Sequence, residues 1–418
     1  MAKAPPTTRT LVSGNLSFEA ILRHELGDEK PPMKHGKRGP ILAIAADDEG
    51  RERLLKHPNP RVRDLMEARI GIKSWPTHVK RLDTMTAQAD ACGGQLPVQL
   101  KYCGAHTGRW SGDGGWNAQN FGARAHPLIS EIRGLILPPE GHVLIVSDFS
   151  AIEARGLAWL AGEEDTLDVF RRNGDIYVEM AGKLSGKPTW KPRDTDPPPV
   201  FARMKRLRQM GKVTVLGCGY GMGGNRMKDY AEGMGLVLSY TEAADLVDSY
   251  RNAVPAIPQF WKDIEEKVIY TARYTYPSDL RGLEITMDPA KDVLYIRFHS
   301  GRRLRYHHPR VDETDYYPRF WCRHPPPRNH RIDMWGGFLT ENIVQAFCRD
   351  LLAPVILEAE AMGYRVPLHC HDEIVAVVPE GDADKAKIEI EQMMSVTPAW
   401  AKGLPLAAEA QITDRYCK

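Results

Sequence analysis

The sequence lacks any apolar run that could span a membrane. No hydrophobic stretch in its 418 residues approaches the ~20 residues that a membrane-spanning helix requires. The segment 1–10 is polar and rich in proline and threonine, and it contains no apolar core like that of a secretory signal peptide. These absences argue against a membrane protein and a secreted protein, so we expect a cytoplasmic location and no membrane partner.

Paired cysteine motifs are also absent. The seven cysteines are odd in number and no two form a CxxC motif, which argues against a disulfide framework and suits a reducing compartment. One His- and Cys-rich region invites a zinc site, but its spacing matches no common zinc finger. The spacing therefore favours a histidine-rich loop over a zinc site. The residues concerned are His307, His308, Cys322, His324 and His330.

A strong net charge of either sign is absent too. Lys and Arg number 56 against 54 Asp and Glu, which leaves a formal net charge of +2, so the overall charge does not indicate a nucleic-acid partner. Basic residues nevertheless bunch in two stretches, each suited either to phosphates or to a solvated surface. The first comprises Lys205, Arg206, Arg208 and Lys212, and the second comprises Arg302, Arg303 and Arg305.

Hydrophobic patterning predicts a mixture of helices and strands, in a chain long enough for two or three domains. Strands are predicted at 143–146, 366–370 and 374–378, and a hairpin at 293–305 that turns at Ser300-Gly301. Helices are predicted from Val62 with a break at Pro76, and at 151–160, 201–216, 340–362 (kinked at Pro354) and 382–394. Loops are predicted at 104–125 and 185–200.

Two aspartates lie where these strands end. Asp148 follows the run 143–146, and Asp372 lies in the predicted turn His371-Asp372-Glu373. A carboxylate beside a buried apolar run is costly unless it is paired, and Mg²⁺ is one partner because it accepts carboxylate and phosphate oxygens. Two such ions can activate an attacking hydroxyl and stabilise a leaving pyrophosphate. Spacing alone favours the simpler interpretation, in which backbone NH groups satisfy both aspartates.

The helix predicted from residue 201 carries a graded face. Arg208, Lys212, Leu216 and Tyr220 recur every four residues and therefore share one broad face over roughly 18 Å of helix. This face begins cationic and ends apolar and aromatic, which suits a nucleoside triphosphate. An amphipathic helix with an exposed basic edge explains the same spacing.

Five segments, taken in order, resemble the motifs of the DNA polymerase I family (family A). The resemblance spans about 107 to 378, and five motifs in the family's order are far more specific than any one alone. Asp148–Arg155 resembles motif A, Arg208-(x3)-Lys212-(x7)-Tyr220-Gly221 resembles motif B, and His371-Asp372-Glu373 resembles motif C. Thr107-Gly108-Arg109 with Asn117-Ala118-Gln119-Asn120 is similar to the primer–template contact motif, and Thr340–Gln345 with Asp350 is similar to the palm helix of bacteriophage members.

The resemblance implies a catalytic centre with two Mg²⁺ ions, or Mn²⁺ as the alternative. Asp148 and Asp372 would be the metal ligands, assisted by the backbone carbonyl of Phe149, and Glu373 would support the site from close by. Lys212 would join the two aspartates in catalysis by protonating the leaving pyrophosphate.

The resemblance also implies the residues that bind dNTP and DNA. Glu153 would exclude a ribose 2′-hydroxyl as a steric gate, and Tyr220 would pack beside the template base. The implied dNTP-binding residues are Arg208, Lys212, Leu216, Tyr220, Glu153 and Tyr177. The implied primer–template contacts are Arg109, Asn117, Gln119, Gln345 and His371.

Several positions depart from the family pattern. Phe149-Ser150-Ala151 replaces the usual Tyr-Ser-Gln of motif A, which removes a hydroxyl. Leu216 stands where Phe or Tyr is more common and cannot stack on a nucleotide. Tyr177 replaces a phosphate-contacting His, so a hydrogen-bond donor remains but the positive charge does not. These changes predict altered nucleotide selectivity and leave the metal chemistry in place.

The fold that the resemblance implies is an α+β right hand, with a small antiparallel sheet in the palm and helical fingers and thumb. The expected division is thumb and amino-terminal region at 1–106, palm at 107–165 and 336–418, and mostly helical fingers at 166–335, with the motif B helix at about 201–221. About 105 residues precede Arg109, too few for an exonuclease domain plus a thumb, so we expect a polymerase domain alone or the carboxy-terminal part of a longer chain.

The expected function is template-directed DNA synthesis from a primer, in phage replication and hence in the host cytoplasm. The expected partners are primer–template DNA, dNTPs and replisome proteins. Two alternatives stay open. One is a non-catalytic DNA-binding replisome scaffold, against which the retained aspartates argue. The other is a single-chain RNA polymerase, against which Glu153 argues because such an enzyme must admit the 2′-hydroxyl.

Overall fold

The computed structural model describes residues 8–36, 39–44, 48–120, 131–314, 317–325 and 328–417. The chain divides into two compact units, Met1–Pro97 and Val98–Lys418. The finer four-part division given above stays a prediction. None of the helices in the described ranges is long and apolar enough to cross a membrane.

The described residues of the amino-terminal unit form four helices and one hairpin. Its elements are α1 (Thr8–Ser13), α2 (Asn15–Leu26), β1 (Met33–Gly36), β2 (Gly39–Leu42), α3 (Glu49–Leu55) and α4 (Pro60–Ala91). Phe18 and Leu22 of α2 pack with Val62 and Met66 of α4 in its core. The predicted break at Pro76 is wrong. α4 runs through Pro76, because a proline forfeits one ladder hydrogen bond and the long flanking turns keep theirs.

The central sheet of the carboxy-terminal unit places the candidate site. Its four antiparallel strands lie in the order β12-β13-β5-β14. They are β5 (His142–Phe149), β12 (Arg365–Cys370), β13 (Glu373–Pro379) and β14 (Ala408–Thr413). A short strand pair, β3 (Leu100–Lys101) and β4 (Ser111–Gly112), precedes β5 in the chain. The predicted strands are confirmed, and their apolar runs from Leu144 to Val146 and from Ile374 to Ala376 are buried. The predicted turn at His371 is shorter than expected, since Glu373 already begins β13.

Helices α5 to α11 follow β5 and carry the segment resembling motif B. They are α5 (Ile152–Ala161), α6 (Glu164–Arg171), α7 (Ile176–Ser185), α8 (Pro198–Cys218), α9 (Gly224–Gly233), α10 (Tyr240–Ala253) and α11 (Ala256–Tyr274). The backbones of α7 and α8 are in direct contact at Gly211. A Cβ at this position would lie only 1.9 Å from the Tyr177 carbonyl oxygen. Only glycine permits this approach, which brings Tyr177 beside the cationic face of α8.

A six-stranded antiparallel meander follows α11. Its strands are β6 (Ser278–Leu280), β7 (Leu283–Asp288), β8 (Val293–Arg297), β9 (Arg303–Asp312), β10 (Arg319–Arg323) and β11 (Arg331–Met334). The predicted hairpin at 293–305 is confirmed as β8–β9. The expectation that 166–335 is mostly helical is wrong for its last part, where residues alternate between buried apolar and exposed polar side chains and so follow the strand period.

Two further helices complete the unit, α12 (Gly336–Ala361) and α13 (Ala383–Ser395). α12 begins four residues before the predicted start at Thr340 and continues through Pro354. Its first turn is tightly packed, since a Cβ on Gly336 would lie 2.0 Å from the Trp261 carbonyl and one on Gly337 would lie 2.3 Å from the Tyr220 carbonyl. These contacts fix α12 against α11 and the end of α8.

Candidate active site

The two aspartates lie at the same end of the central strand pair. Asp148 is opposite Glu373 in the β5–β13 register, and the Phe149 amide donates a hydrogen bond of 3.1 Å to the Asp372 carbonyl oxygen. His371, between β12 and Asp372, has a φ of 55°. The antiparallel register and this tight turn therefore bring Asp148, Phe149 and Asp372 together.

The donor set at these strand ends fits a hard divalent cation. Two carboxylates and the Phe149 carbonyl offer only oxygen, which Mg²⁺ prefers, and Mg²⁺ completes its shell with water and substrate phosphates. Within the described ranges no group of three or more His, Cys, Asp or Glu is arranged to hold a metal ion. His307, Cys322 and His330 lie within these ranges, and they form no such group.

A buried contact fixes the first residue of β13. Glu373 is 1% exposed, and its Oε1 accepts a hydrogen bond of 2.5 Å from the Tyr416 hydroxyl. The Arg133 guanidinium lies 5.2 Å over the Tyr416 ring. Burial, and then the neighbouring Glu373 carboxylate, raise the pKa of the Tyr416 phenol, so Tyr416 stays a donor. Nothing in the sequence pattern pointed to Tyr416 or Arg133.

Gln119 holds the turn that carries Asp372. Its side-chain amide donates to the His369 carbonyl at 2.7 Å and accepts from the His371 amide at 2.8 Å. The Asn117 side-chain oxygen in turn accepts a hydrogen bond of 3.0 Å from the backbone amide of Gln119. The structure thus gives both residues a positioning contact, and the primer–template contacts implied for them stay a prediction.

Glu153, Arg109 and Tyr220 form one cluster. The Glu153 carboxylate accepts from Arg109 Nη2 at 2.7 Å and from the Tyr220 hydroxyl at 3.1 Å. Burial, and then the Glu153 charge, raise the pKa of the Tyr220 phenol well above its ordinary value. The cluster joins α5, the end of α8 and the segment around Arg109, so three of the sequence-predicted residues meet although they lie far apart in the chain.

The cationic face of α8 is anchored at Arg208. Its Nε lies 2.7 Å from Asp175 Oδ2, and its guanidinium lies 5.3 Å from the centre of the Tyr177 ring. Asp175 also caps α7 by accepting from the amides of Tyr177 and Val178. Burial raises the pKa of the Tyr177 phenol against the lowering effect of the Arg208 charge, and the Asp175 and Asp148 charges add to the rise.

Three other predicted residues lie on helices near these clusters. In the described part of the chain, Lys212 makes no hydrogen bond or ion pair. Leu216 is half-buried, and Gln345 Nε2 donates to Glu341 Oε1 at 3.0 Å within α12. Among the described residues, no hydrogen bond, ion pair or ring contact assigns a role to Lys212 or Leu216.

Arg155, the last residue of the segment that resembles motif A, is buried. It donates to the carbonyls of Ser150 at 2.6 Å and Pro405 at 2.9 Å, and it lies 4.2 Å over the Phe170 ring. Burial lowers the pKa of its guanidinium to about 10. Because Ser150 follows Phe149, this contact fixes the chain directly after β5.

Asp350 ties the β8–β9 turn to α12. Its carboxylate lies 2.5 Å from Arg302 Nε and accepts a hydrogen bond of 2.6 Å from the Ser300 hydroxyl. The adjacent Arg349 donates to the Gly108 carbonyl at 3.1 Å. Arg302, the first arginine of the second basic bunch, therefore forms an internal ion pair.

Comparison with known proteins places the chain beside DNA polymerases. The family model described as DNA polymerase family A matches residues 9–281. The chain is 36% identical over 303 residues to the DNA polymerase of Bacillus phage SP02, which covers 71% of this chain and 45% of that protein. It is 25% identical over 404 residues to the thermostable DNA polymerase I of Thermus aquaticus, which covers 96% of this chain and 41% of that protein. The chain thus spans less than half the length of these relatives.

A solved structure shows the same fold. The POL domain of Pol1 from M. smegmatis, in complex with DNA primer-template and dNTP, matches with a TM-score of 0.66 at 20% identity, covering 97% of this chain and 61% of that one. The predicted α+β class and right-hand polymerase fold are therefore confirmed.

Proposed function

Because the chain belongs to DNA polymerase family A, we propose that it synthesises DNA on a template by extending a primer. The reaction transfers a nucleotidyl group from a dNTP to the primer 3′-hydroxyl and releases pyrophosphate. The observation that carries this proposal is the register that brings Asp148, Phe149 and Asp372 together at one end of the central sheet.

Asp148, Asp372 and the Phe149 carbonyl would hold two Mg²⁺ ions, or Mn²⁺. Divalent ions bound there would lower the pKa of the primer hydroxyl and would neutralise charge on the phosphates. The protein's own part is to keep the two carboxylates in register. Gln119 holds the turn before Asp372, and Tyr416 holds Glu373 after it.

The cationic face of α8 would bind the triphosphate. Asp175 engages Arg208 through Nε, and within the described residues neither Nη group makes a hydrogen bond. Arg208 can therefore offer both Nη groups to phosphate oxygens while Asp175 and Tyr177 hold its orientation. Lys212, one turn further, would neutralise and protonate the leaving pyrophosphate. Leu216 would pack against the nucleotide.

Glu153 would act as the steric gate for the sugar. Arg109 and Tyr220 hold its carboxylate from two sides, so it cannot swing away from a ribose 2′-hydroxyl without breaking both bonds. Tyr220 would lie beside the template base. Primer–template contacts would come from Arg109, Asn117, Gln119, Gln345 and His371.

The assignments that go with this function are proposals too. They comprise a thumb and amino-terminal region at 1–106, a palm at 107–165 and 336–418, and fingers at 166–335. The proposed partners are primer–template DNA, dNTPs and replisome proteins, and the proposed role is phage replication in the host cytoplasm.

Primer extension tests the proposal. A labelled primer–template with Mg²⁺ and four dNTPs is incubated with wild type, Asp372→Ala and the control Asp384→Ala, whose exposed carboxylate lies at the start of α13. We expect extension by wild type and the control, and a loss on the order of 100-fold or more for Asp372→Ala. DNA binding without extension by any of the three would support the scaffold alternative.

A further inference from the structure

The six-stranded sheet has one buried and one outward face. Leu294, Ile296, Leu304, Tyr306 and Phe320 are at most 1% exposed and form the inner face. Because side chains alternate along a strand, their neighbours point outward, and the register places them side by side. The outward side chains of β8, β9 and β10 that carry a ring or a basic group are Tyr295, Arg297, Arg303, Arg305, His307, Arg310, Arg319, Trp321 and Arg323. The Asp312 carboxylate lies among them and accepts a hydrogen bond of 2.8 Å from Trp321 Nε1.

Aromatic rings and guanidinium groups alternate on this outward face. The Arg303 guanidinium lies 5.0 Å from the centre of the Tyr295 ring, and Arg305 is opposite Tyr295 in the β8–β9 register. The Trp321 ring is approached by Arg331 at 4.6 Å and by Arg323 at 5.9 Å. Tyr295 and Trp321 stand two strands apart, roughly 10 Å across the sheet, and the register offsets them by about four residues, roughly 13 Å, along the strands.

Some arginines of this face pair with carboxylates, and others form no ion pair within the described ranges. Arg297 pairs with Glu284 at 3.1 Å, and Arg310 pairs with Asp292 at 2.7 Å. In the described ranges, by contrast, Arg303, Arg305 and Arg323 form no ion pair. A merely solvated face would explain exposed arginines, but it does not explain why two large rings lie among them on the outward side.

We infer that the outward face of this sheet binds single-stranded DNA, in the form of the uncopied 5′ overhang of the template. Bases of a single strand can stack on Tyr295 and Trp321, and its phosphates can meet Arg303, Arg305 and Arg323. A duplex offers no free base faces to such rings. The three arginines of the second basic bunch thus have two roles. Arg302 pairs with Asp350 inside the structure, whereas Arg303 and Arg305 would contact DNA.

The connection from the sheet to α12 argues for the template strand in particular. β11 ends at Met334, and the next residue, Trp335, packs on Gly221, where a Cβ would lie 2.5 Å from the Trp335 ring. Gly221 follows Tyr220, which the proposed function places beside the template base. The inference rests on that function, because it takes the template to enter where β11 meets the end of α8.

The variant Arg303→Gln/Arg305→Gln tests this inference, since glutamine keeps a long polar side chain and removes the charge. Its matched control is Arg297→Gln/Arg310→Gln, which removes two charges from the same face where carboxylates already neutralise them. Dissociation constants are measured without dNTPs for a primer–template with a 20-nucleotide 5′ template overhang, for one with a 2-nucleotide overhang, and for a fork with a displaced 5′ strand.

We expect wild type and control to bind the long overhang more tightly than the short one. The Arg303→Gln/Arg305→Gln protein should lose ~3–10-fold in affinity for the long overhang and less than ~2-fold for the short one. Its slope of log affinity against log salt should be shallower by about 1.4, the value for two lost contacts with a single strand. Tyr295→Leu, which keeps an apolar side chain, should also weaken binding of the long overhang only.

Three results would overturn the inference. The first is unchanged affinity in both Arg303→Gln/Arg305→Gln and Tyr295→Leu, and the second is an equal loss of affinity for the long and the short overhang. The third is tighter binding by wild type that is seen only with the displaced-strand fork. The readout needs no catalysis, so it decides the question separately from the proposed function. If wild type failed to extend any primer, the proposed function would fail while the overhang preference could still be measured.

Discussion

At the scale of single residues, Glu153 has the most sharply defined surroundings. Glu153→Ala removes both the gate and the partner of Arg109 and Tyr220. We predict at least ~10-fold more incorporation of ribonucleotides relative to deoxynucleotides, since excluding one hydroxyl sterically is worth ~1–3 kcal/mol. Single-nucleotide incorporation with matched rNTP and dNTP measures the ratio. Glu153→Gln keeps the side-chain size and an acceptor for the Tyr220 hydroxyl, so this variant should still discriminate against ribonucleotides. If wild type and Glu153→Ala incorporated ribonucleotides and deoxynucleotides in the same ratio, Glu153 would not be the steric gate.

His369 predicts a dependence of stability on pH. Burial, and then the charges of His371 and Arg349, lower the pKa of its imidazole from 6.5 to about 4. The folded state therefore binds fewer protons than the unfolded state, so the contribution is complete above pH 6.5 and is lost as the pH falls towards 4. The free energy of unfolding should drop by up to about 3 kcal/mol across this window.

Denaturant unfolding at pH 7 and pH 4.5 checks the His369 prediction. His369→Gln removes the titrating group and should lose less stability over the same pH interval than wild type does. An identical drop in both proteins would show that other groups cause the dependence.

At the scale of secondary structure, the α7–α8 contact predicts how the triphosphate site is tuned. Asp175→Asn keeps a good N-cap for α7 but removes the charge that anchors Arg208. We expect the KM for dNTP to rise ~3–10-fold with little change in thermal stability. Asp175→Ala, which also removes the cap, should in addition cost about 1 kcal/mol of stability. Unchanged KM in both variants would mean that Arg208 does not need this anchor.

The Gln119 clamp is a second prediction at this scale. Gln119→Ala removes two hydrogen bonds to the turn between β12 and β13, and we expect a loss of ~1–3 kcal/mol in unfolding free energy. If Gln119 acts by positioning Asp372, kcat should fall while the dissociation constant for primer–template changes less than ~2-fold. A large loss of DNA binding with unchanged kcat would assign it to DNA contact instead.

The sequence predicted those elements whose periodicity is local. The strands around Asp148 and Asp372, α8 and the β8–β9 hairpin were all found, with ends shifted by a few residues. The other strands of the meander were missed, because each is too short to show a clear strand period. The Gln119 clamp and the Tyr416–Glu373 bond could not be found, since they join residues 250 and 43 positions apart, respectively, and no spacing rule connects such partners.

At the scale of the whole molecule, the aspartate pair was predictable only as a resemblance. Spacing alone favoured backbone satisfaction of Asp148 and Asp372, and the order of five motifs reversed that preference. The structure adds the β5–β13 register, which makes the two residues neighbours. The family match then supplies the reaction that such a pair would serve.

A double-mutant cycle on the aspartate pair tests the central claim most directly. Single-turnover incorporation of one dNTP in Mg²⁺ is measured for wild type, Asp148→Ala, Asp372→Ala and the double variant, with primer–template binding measured in parallel. If both residues serve one metal centre, each single variant should be nearly inactive and the double variant no slower, while DNA binding persists. Substantial activity in either single variant, or losses that multiply in the double, would contradict a shared catalytic centre at Asp148 and Asp372.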